Sequence, residues 1–295
     1  MTDKFPKKLV INADDFGMFP EVNRGIIECF ESGSITSTTL MVNAEGTSDA
    51  VSLAEKYPDL GVGLHFTLTH GKPVSPPWEI PSLVDEGGNF CSRFHFERGI
   101  ILRRIKLLDV KKELEAQIGK FRNFGLKMTH IDGHHHVHIF PSIFKVVADY
   151  AIREGLPVRI PWVSYKFIKP SITLKSIRTI LRKSLLHMLI GRIPAVLYDD
   201  MLVPNRFLSM HDFVPLPDEF QHAHYRKLIE AAGAGLTEIM VHPAYNSERL
   251  RNLYDDANVR IREMELKALT GFSLVESAKG LNMETRSYRV CRSQK

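Results

Sequence analysis

Cysteine is scarce in this chain of 295 residues: Cys29, Cys91 and Cys291 lie far apart, and no Cys-x-x-Cys pair exists. That excludes a cysteine zinc site and a disulfide framework, and it fits a reducing compartment. Long apolar runs are missing too, since no stretch approaches the roughly 18 apolar residues of a membrane-spanning helix. The opening residues Met1, Thr2, Asp3 and Lys4 carry no apolar signal segment, so the cytoplasm is the expected location. Charge of one sign does not dominate. The formal net charge is +5 with the basic residues largely dispersed, which argues against a nucleic-acid partner. No Gly-x-Ser-x-Gly is present, and the cysteines fall outside the polar clusters described below, so neither a serine nor a cysteine nucleophile is indicated.

What is present is ordinary globular material, 44% apolar and 25% charged, enough to bury a large core. A strand-then-helix grammar repeats along it. Leu9, Val10 and Ile11 form a short apolar run of the kind a buried parallel strand uses. A helix then starts at Pro20, turns Val22, Ile26, Ile27 and Phe30 inward and stops at Gly33. Further strands are predicted at 35–42, 61–66, 128–132, 158–161 and 237–241, and further helices at 48–57, 110–121, 141–154, 220–232 and 259–269. Residues 71–105 hold prolines and glycines with few periodic signals and read as a loop insertion; excursions of that length are usually functional. Residues 165–195 read as a basic helical insertion. About seven alternating β and α units in a chain of this length predict an α/β fold, a distorted (β/α) barrel, with residues 1–295 forming a single domain.

The polar residues that stand out fall at predicted strand ends. Asp14 and Asp15 follow the first strand and His65 the third. Asp132, His134, His135, His136 and His138 follow the fourth, Arg159 sits in the next, and His242 follows the last. In a parallel barrel all strand C-termini open on one face, so separate segments would deliver these groups to one surface. Taken alone, an aspartate pair is also what a turn or helix N-cap uses. Four histidines in five residues cannot be an apolar core stripe, because buried imidazoles without partners are costly. Metal binding is the commonest reason for such a cluster, although at this spacing only one or two of the four reach one ion. One carboxylate and two imidazoles leave coordination positions open for water and substrate, which suits one divalent ion: magnesium or zinc foremost, and also manganese, cobalt or nickel. Metal-acidified water with a carboxylate to take its proton is the chemistry of amide or ester hydrolysis without a covalent intermediate.

Four ordered blocks carry a resemblance. They are Ile11-Asn12-Ala13-Asp14-Asp15-Phe16-Gly17; Ser37-Thr38-Thr39-Leu40-Met41-Val42-Asn43; Gly63-Leu64-His65-Phe66 with Gly71-Lys72-Pro73; and His130-Ile131-Asp132-Gly133-His134-His135-His136-Val137-His138. In order and spacing they resemble the YdjC-like carbohydrate deacetylases, and Val241-His242-Pro243-Ala244 continues the match. The resemblance implies a distorted barrel, a homodimer, a divalent metal and removal of acetyl from an N-acetylated sugar. It implies Asp15, His65 and His134 as metal ligands, Asp14 as general base, and His242 as general acid or oxyanion stabiliser. Arg159-Ile160-Pro161-Trp162 is similar to the Arg-x-Pro-aromatic element that orients the base in the more distant NodB-type polysaccharide deacetylases, which would give Arg159 that role.

Residues 166–192 hold seven lysines or arginines and no acid, with Leu174, Ile177, Leu181, Leu185 and Met188 at helical spacing. This insert resembles the hopanoid-biosynthesis-associated branch of the family and widens the expected substrate from an oligosaccharide to a glycolipid. A basic amphipathic helix can touch an anionic membrane peripherally, and it can equally be a barrel helix with a solvated face or a dimer contact. Two other functions compete with the deacetylase: a phosphoesterase on a His-rich barrel, which usually gathers more metals and carboxylates, and a non-catalytic sugar-binding protein.

Overall fold

The computed structural model describes residues 6–168, 174–193 and 201–291. Residues 169–173 and 194–195 of the expected basic insertion lie outside these. The chain runs β1 (Lys7–Phe16), α1 (Pro20–Glu31), β2 (Ser37–Leu40), α2 (Thr47–Lys56), β3 (Gly61–Phe66), α3 (Arg93–Ile101), α4 (Leu107–Asn123), β4 (Ile131–Gly133) and α5 (Pro141–Glu154). It continues through α6 (Leu174–Ile190), β5 (Arg206–Ser209), α7 (His222–Ala231), β6 (Gly235–Val241), α8 (Glu248–Leu253), α9 (Asp256–Gly271), α10 (Leu274–Lys279) and β7 (Glu284–Thr285). The strands pair in the order β4-β3-β2-β1-β6-β5, with β7 also on β1, and every pairing is parallel.

This is the α/β architecture expected, a parallel sheet curled into a half-barrel with helices around it. Beyond β4 the sheet thins. The predicted strand at 158–161 is reduced to one bridge between Ile131 and Val158, and Val158 N–H donates to Leu202 O (3.1 Å) on the way to β5. Pro157 and Pro161 bracket that segment and remove two ladder donors, which accounts for its brevity.

Local signals placed the helices well. Proline opens α1 and α5, where the first N–H has no partner in any case. Gly155 ends α5 in the left-handed conformation (φ 64°), letting Leu156 N–H return to Ala151 O (2.9 Å). On α4 the Val110, Leu114, Ile118 and Phe121 stripe is buried, each large side chain contributing about 1.5–3 kcal/mol. Two polar residues of α4 are buried with it. Glu113 accepts from Val74 N–H and Ser75 N–H, and Gln117 brackets Thr67 N–H and C=O, so the excursion after β3 is strapped to the helix that follows. That excursion, read as loop, contains α3.

The interior of the half-barrel changes character along β1. Leu9, Ile11 and Ala13 point outward to the main apolar cluster. Val10 points inward onto Leu236, Tyr288 and Cys291, where the C-terminal segment plugs one end. Two residues on, Asn12 joins His130 (Nε2 to Oδ1, 3.0 Å), and His130 stacks on Tyr288 with ring centres 4.0 Å apart. Two further on is Asp14. An apolar floor, a neutral polar layer and a charged layer thus succeed one another at the two-residue period of one strand face.

Candidate active site

The charged layer begins with a break in β1. Its register to β2 shifts between Ala13 and Phe16, and Asp15 adopts φ 68°. Neighbours on a regular strand point to opposite faces. The irregularity re-aims Asp15, so both carboxylates reach the same cavity, at the cost of a left-handed backbone that Asp tolerates better than most residues.

Three side chains then converge. His134 Nδ1 lies 2.9 Å from Asp15 Oδ1 and 3.3 Å from His65 Nε2, and His65 Nε2 lies 3.2 Å from the same Asp15 oxygen. All three residues are at most 3% exposed. Metal bonds of about 2.0–2.1 Å set adjacent ligand atoms roughly 3 Å apart, for tetrahedral zinc and octahedral magnesium alike. This buried group could therefore hold a metal ion. Asp14, His65 and Asp132 form a second close group. There, however, the guanidinium of Arg159 already binds both carboxylates, so a cation would face a fixed positive charge.

Surrounding groups fix the orientation of the triangle. Asp132 Oδ1 accepts from His65 Nδ1–H (2.7 Å), leaving Nε2 turned to Asp15, the carboxylate–imidazole arrangement that typically backs a metal-bound histidine. Thr39 Oγ1 donates to Asp132 Oδ2 (3.1 Å). Arg262 Nη2 holds the second oxygen of Asp15 (2.5 Å). Arg159, fully buried, donates through Nη1 and Nη2 to the two oxygens of Asp14 (2.6 Å each), through Nε to Glu238 Oε1 (2.7 Å), and lies 2.8 Å from Asp132 Oδ2. Asp14, Asp15, Asp132 and Glu238 carry more formal negative charge than Arg159 and Arg262 offset, and His65 and His134 also face Asp15 and Asp132. A divalent cation offsets that excess, which is the arrangement buried charges require.

The titration behaviour follows. Burial raises the Asp14 carboxyl, but Arg159 outweighs it and holds Asp14 well below the usual range. Asp15 is likewise held down against burial by Arg262 and His134. Burial lowers His65, yet Asp132 and its hydrogen bond carry it up to about 10, so a proton partly takes the place of a cation. His242 is pushed down to about 3, chiefly by burial, and is neutral at physiological pH. Its Nε2 lies 3.8 Å from Asp14 Oδ2, and its backbone N–H donates to Glu265 Oε2 (2.5 Å). Burial lifts Glu265 to about 8.

All six site residues named from the sequence, Asp14, Asp15, His65, His134, Arg159 and His242, come together here. The remaining histidines of the cluster divide. His138 Nε2–H donates to Arg159 C=O (2.9 Å), and an alanine at Gly133 would set its Cβ 2.7 Å from His138 Nδ1, so that glycine makes room for the ring. His135 and His136 both have φ 55°, and His135 Nδ1 meets Thr69 Oγ1 (3.0 Å). Sequence reading missed Arg262, Glu238 and Glu265, and also His70 and His211, whose rings lie 5.8 Å and 5.9 Å from those of His134 and His242. A signal was available for Glu238, a charged residue inside a strand otherwise reading as buried. For Arg262 and Glu265 there was none, since both look like the solvated face of a helix.

A half-barrel with an Asp-His-His donor triangle backed by a second carboxylate and an arginine clamp defines a class. The family model described as YdjC-like protein matches residues 8–279, and the chain belongs to that family. It is 35% identical over 291 residues to the carbohydrate deacetylase of Geobacillus stearothermophilus, covering 96% of this chain and 98% of that one. It is 45% identical over 155 residues to the chitooligosaccharide deacetylase of Proteus mirabilis, covering 52% of this chain and 58% of that one. Among solved structures, one described as a putative cellobiose-phosphate cleavage protein from Enterococcus faecalis superposes with a TM-score of 0.75 at 28% identity, covering 96% and 98% of the two chains.

Proposed function

We propose that the protein is a metal-dependent deacetylase that hydrolyses the acetamide of an N-acetylated sugar, an oligosaccharide or a glycolipid. The observation that carries this is the convergence of Asp15, His65 and His134 donor atoms within 3.3 Å of one another, beside a carboxylate that is not part of the triangle. Similarity along nearly the whole chain to relatives named carbohydrate deacetylases supports the substrate class.

In this reading Asp15, His65 and His134 hold one divalent ion, magnesium or zinc. Such an ion supplies Lewis acidity, lowering the pKa of water and offsetting negative charge on an acyl oxygen. The remaining work falls to the protein. Asp14, held in place by both arms of Arg159, accepts a proton from the water that attacks the acetyl carbon. His242, neutral at rest, takes that proton across the 3.8 Å gap and delivers it to the amide nitrogen as the carbon–nitrogen bond breaks. Acetate and the free amino sugar result, and the two side chains end as they began. His135 and His136, next to His134, are candidates to meet the sugar.

The test is acetate release from N-acetylglucosamine oligomers and an N-acetylated glycolipid, abolished by EDTA and restored by divalent metal. His65→Ala and His134→Ala should each lose metal by elemental analysis. Turnover of a chromogenic phosphate ester in place of acetate release would favour a phosphoesterase, and full metal occupancy in both variants would remove the ligand assignment.

A further inference from the structure

Two elements beside the site expose apolar side chains. The first is the excursion after β3. Phe94 and Ile101, seven apart on α3, are 68% and 77% exposed, and Leu102, Leu107 and Leu108 continue the patch. The turn carrying Trp78, itself 80% exposed, is tied to the same place: Ser82 N–H donates to Asp109 Oδ2 (3.0 Å), and Lys106 N–H donates to Ser82 Oγ (3.0 Å). Residues 93–112 contain seven lysines and arginines against Glu97 and the buried Asp109. The second element is α6, where Ile177, Leu181, Leu185 and Met188 form an exposed stripe at helical spacing. That helix carries four basic residues and no acid.

Both elements touch segments that carry site residues. Phe96 of α3 packs edge-on against Phe140, just beyond the histidine run, with ring centres 6.2 Å apart. Lys183 of α6 pairs with Asp212, the neighbour of His211, whose ring faces His242. Charge decides what can cover such a surface. A second copy meeting it across a two-fold axis would set the same basic patch against itself. Nucleic acid would satisfy the cations and leave the aliphatic side chains without partners. An anionic bilayer satisfies both, since apolar side chains and tryptophan enter the interface while lysine and arginine meet lipid phosphates. Among the described residues no helix is long and apolar enough to cross a membrane, so the contact is peripheral.

We propose that these two elements form a docking surface for an anionic lipid bilayer, gripped by the Trp78, Phe94, Ile101 and Leu108 patch on one side of the site and by the Leu181 and Leu185 stripe on the other. Docking opens the cavity toward the headgroup layer. It follows from exposure and charge and stands whether or not the deacetylation above is correct.

Flotation of the full chain with vesicles tests it. Vesicles of phosphatidylcholine containing about one third phosphatidylglycerol should bind at least tenfold more tightly than phosphatidylcholine alone, and high salt should erase the difference. Ile101→Asp with Leu108→Asp, and separately Leu181→Asp with Leu185→Asp, should abolish binding with an unchanged melting temperature, because all four residues are exposed. Arg103→Gln with Arg104→Gln should reduce the anionic preference by roughly an order of magnitude. Equal affinity for neutral and anionic vesicles, or no binding to either, overturns the proposal. So does a dimer in sedimentation equilibrium that the same aspartate variants dissolve, which would assign the surface to a second copy.

Discussion

Replacing Arg159 by methionine removes one guanidinium that serves three carboxylates at once. Arg159 is fully buried, with Asp14 and Asp132 on Nη1, Asp14 again on Nη2 and Glu238 on Nε, all at 2.6–2.8 Å. Methionine fills much of the volume, so the cavity term is small and the cost is that of leaving buried carboxylates unpaired, about 3–5 kcal/mol. In a chain of this size that lowers the melting temperature by on the order of 10 °C. The loss should depend on pH in a definite sense. In the native protein Asp14 and Asp132 are held below the ordinary carboxylate range, so their pairing stabilises the fold at neutral pH and is lost only as pH falls through those depressed values. In the variant the arginine no longer opposes burial, only the neighbouring histidines still lower these carboxyls, and their pKa rises from the native value. A carboxyl raised from its native value takes up its proton first in the variant as pH falls, so the stability gap should be widest near about pH 8 and narrow toward about pH 5. Urea unfolding in EDTA across that range reads the gap directly. Arg159→Lys should recover part of the stability and little activity, since one ammonium cannot reproduce the planar fork on Asp14. A gap of under about 1 kcal/mol that does not change with pH would refute the reasoning, because it would mean the three carboxylates do not depend on this arginine.

Two further outcomes separate the roles. Asp14→Asn keeps the shape and removes the proton acceptor, so deacetylation should fall about 10²–10⁴-fold while metal content by elemental analysis stays at the wild-type level; parallel loss of metal would make Asp14 a ligand. Asp132→Asn weakens the acceptor behind His65 Nδ1 without touching the donor triangle, and metal affinity measured by competition with a chelator should drop about 10–100-fold. An unchanged affinity would show that Thr39 and the strand alone orient His65.

The six residues read from the sequence as site candidates stood out because their types are improbable where they stand. A run of histidines after an apolar strand has few uses other than chemistry, and the Asp-Asp pair gains weight from standing at a strand end like it. Helix limits at Pro20, Pro141 and Gly155 were equally plain, since proline and glycine act through their own backbone geometry. Reading failed where a residue's meaning depends on a distant partner. Arg262 and Glu265 sit on a helix whose polar residues normally face water, and only packing against β1 and β6 turns them toward Asp15 and His242. The excursion at 71–105 concealed α3 because its apolar residues do not share one buried face, Phe96 being buried while Phe94 and Ile101 are exposed.

By itself the sequence determined the chemistry on offer, which is carboxylates, imidazoles and an arginine, each at the end of a run fit for a parallel strand. It also determined the parallel α/β class, because that follows from local periodicity. Tertiary structure decided which imidazole nitrogens face one carboxylate oxygen and that Arg159 guards Asp14 rather than meeting solvent. Those outcomes depend on distances between segments more than a hundred residues apart, and only the curled sheet and its irregularity at Asp15 set those distances.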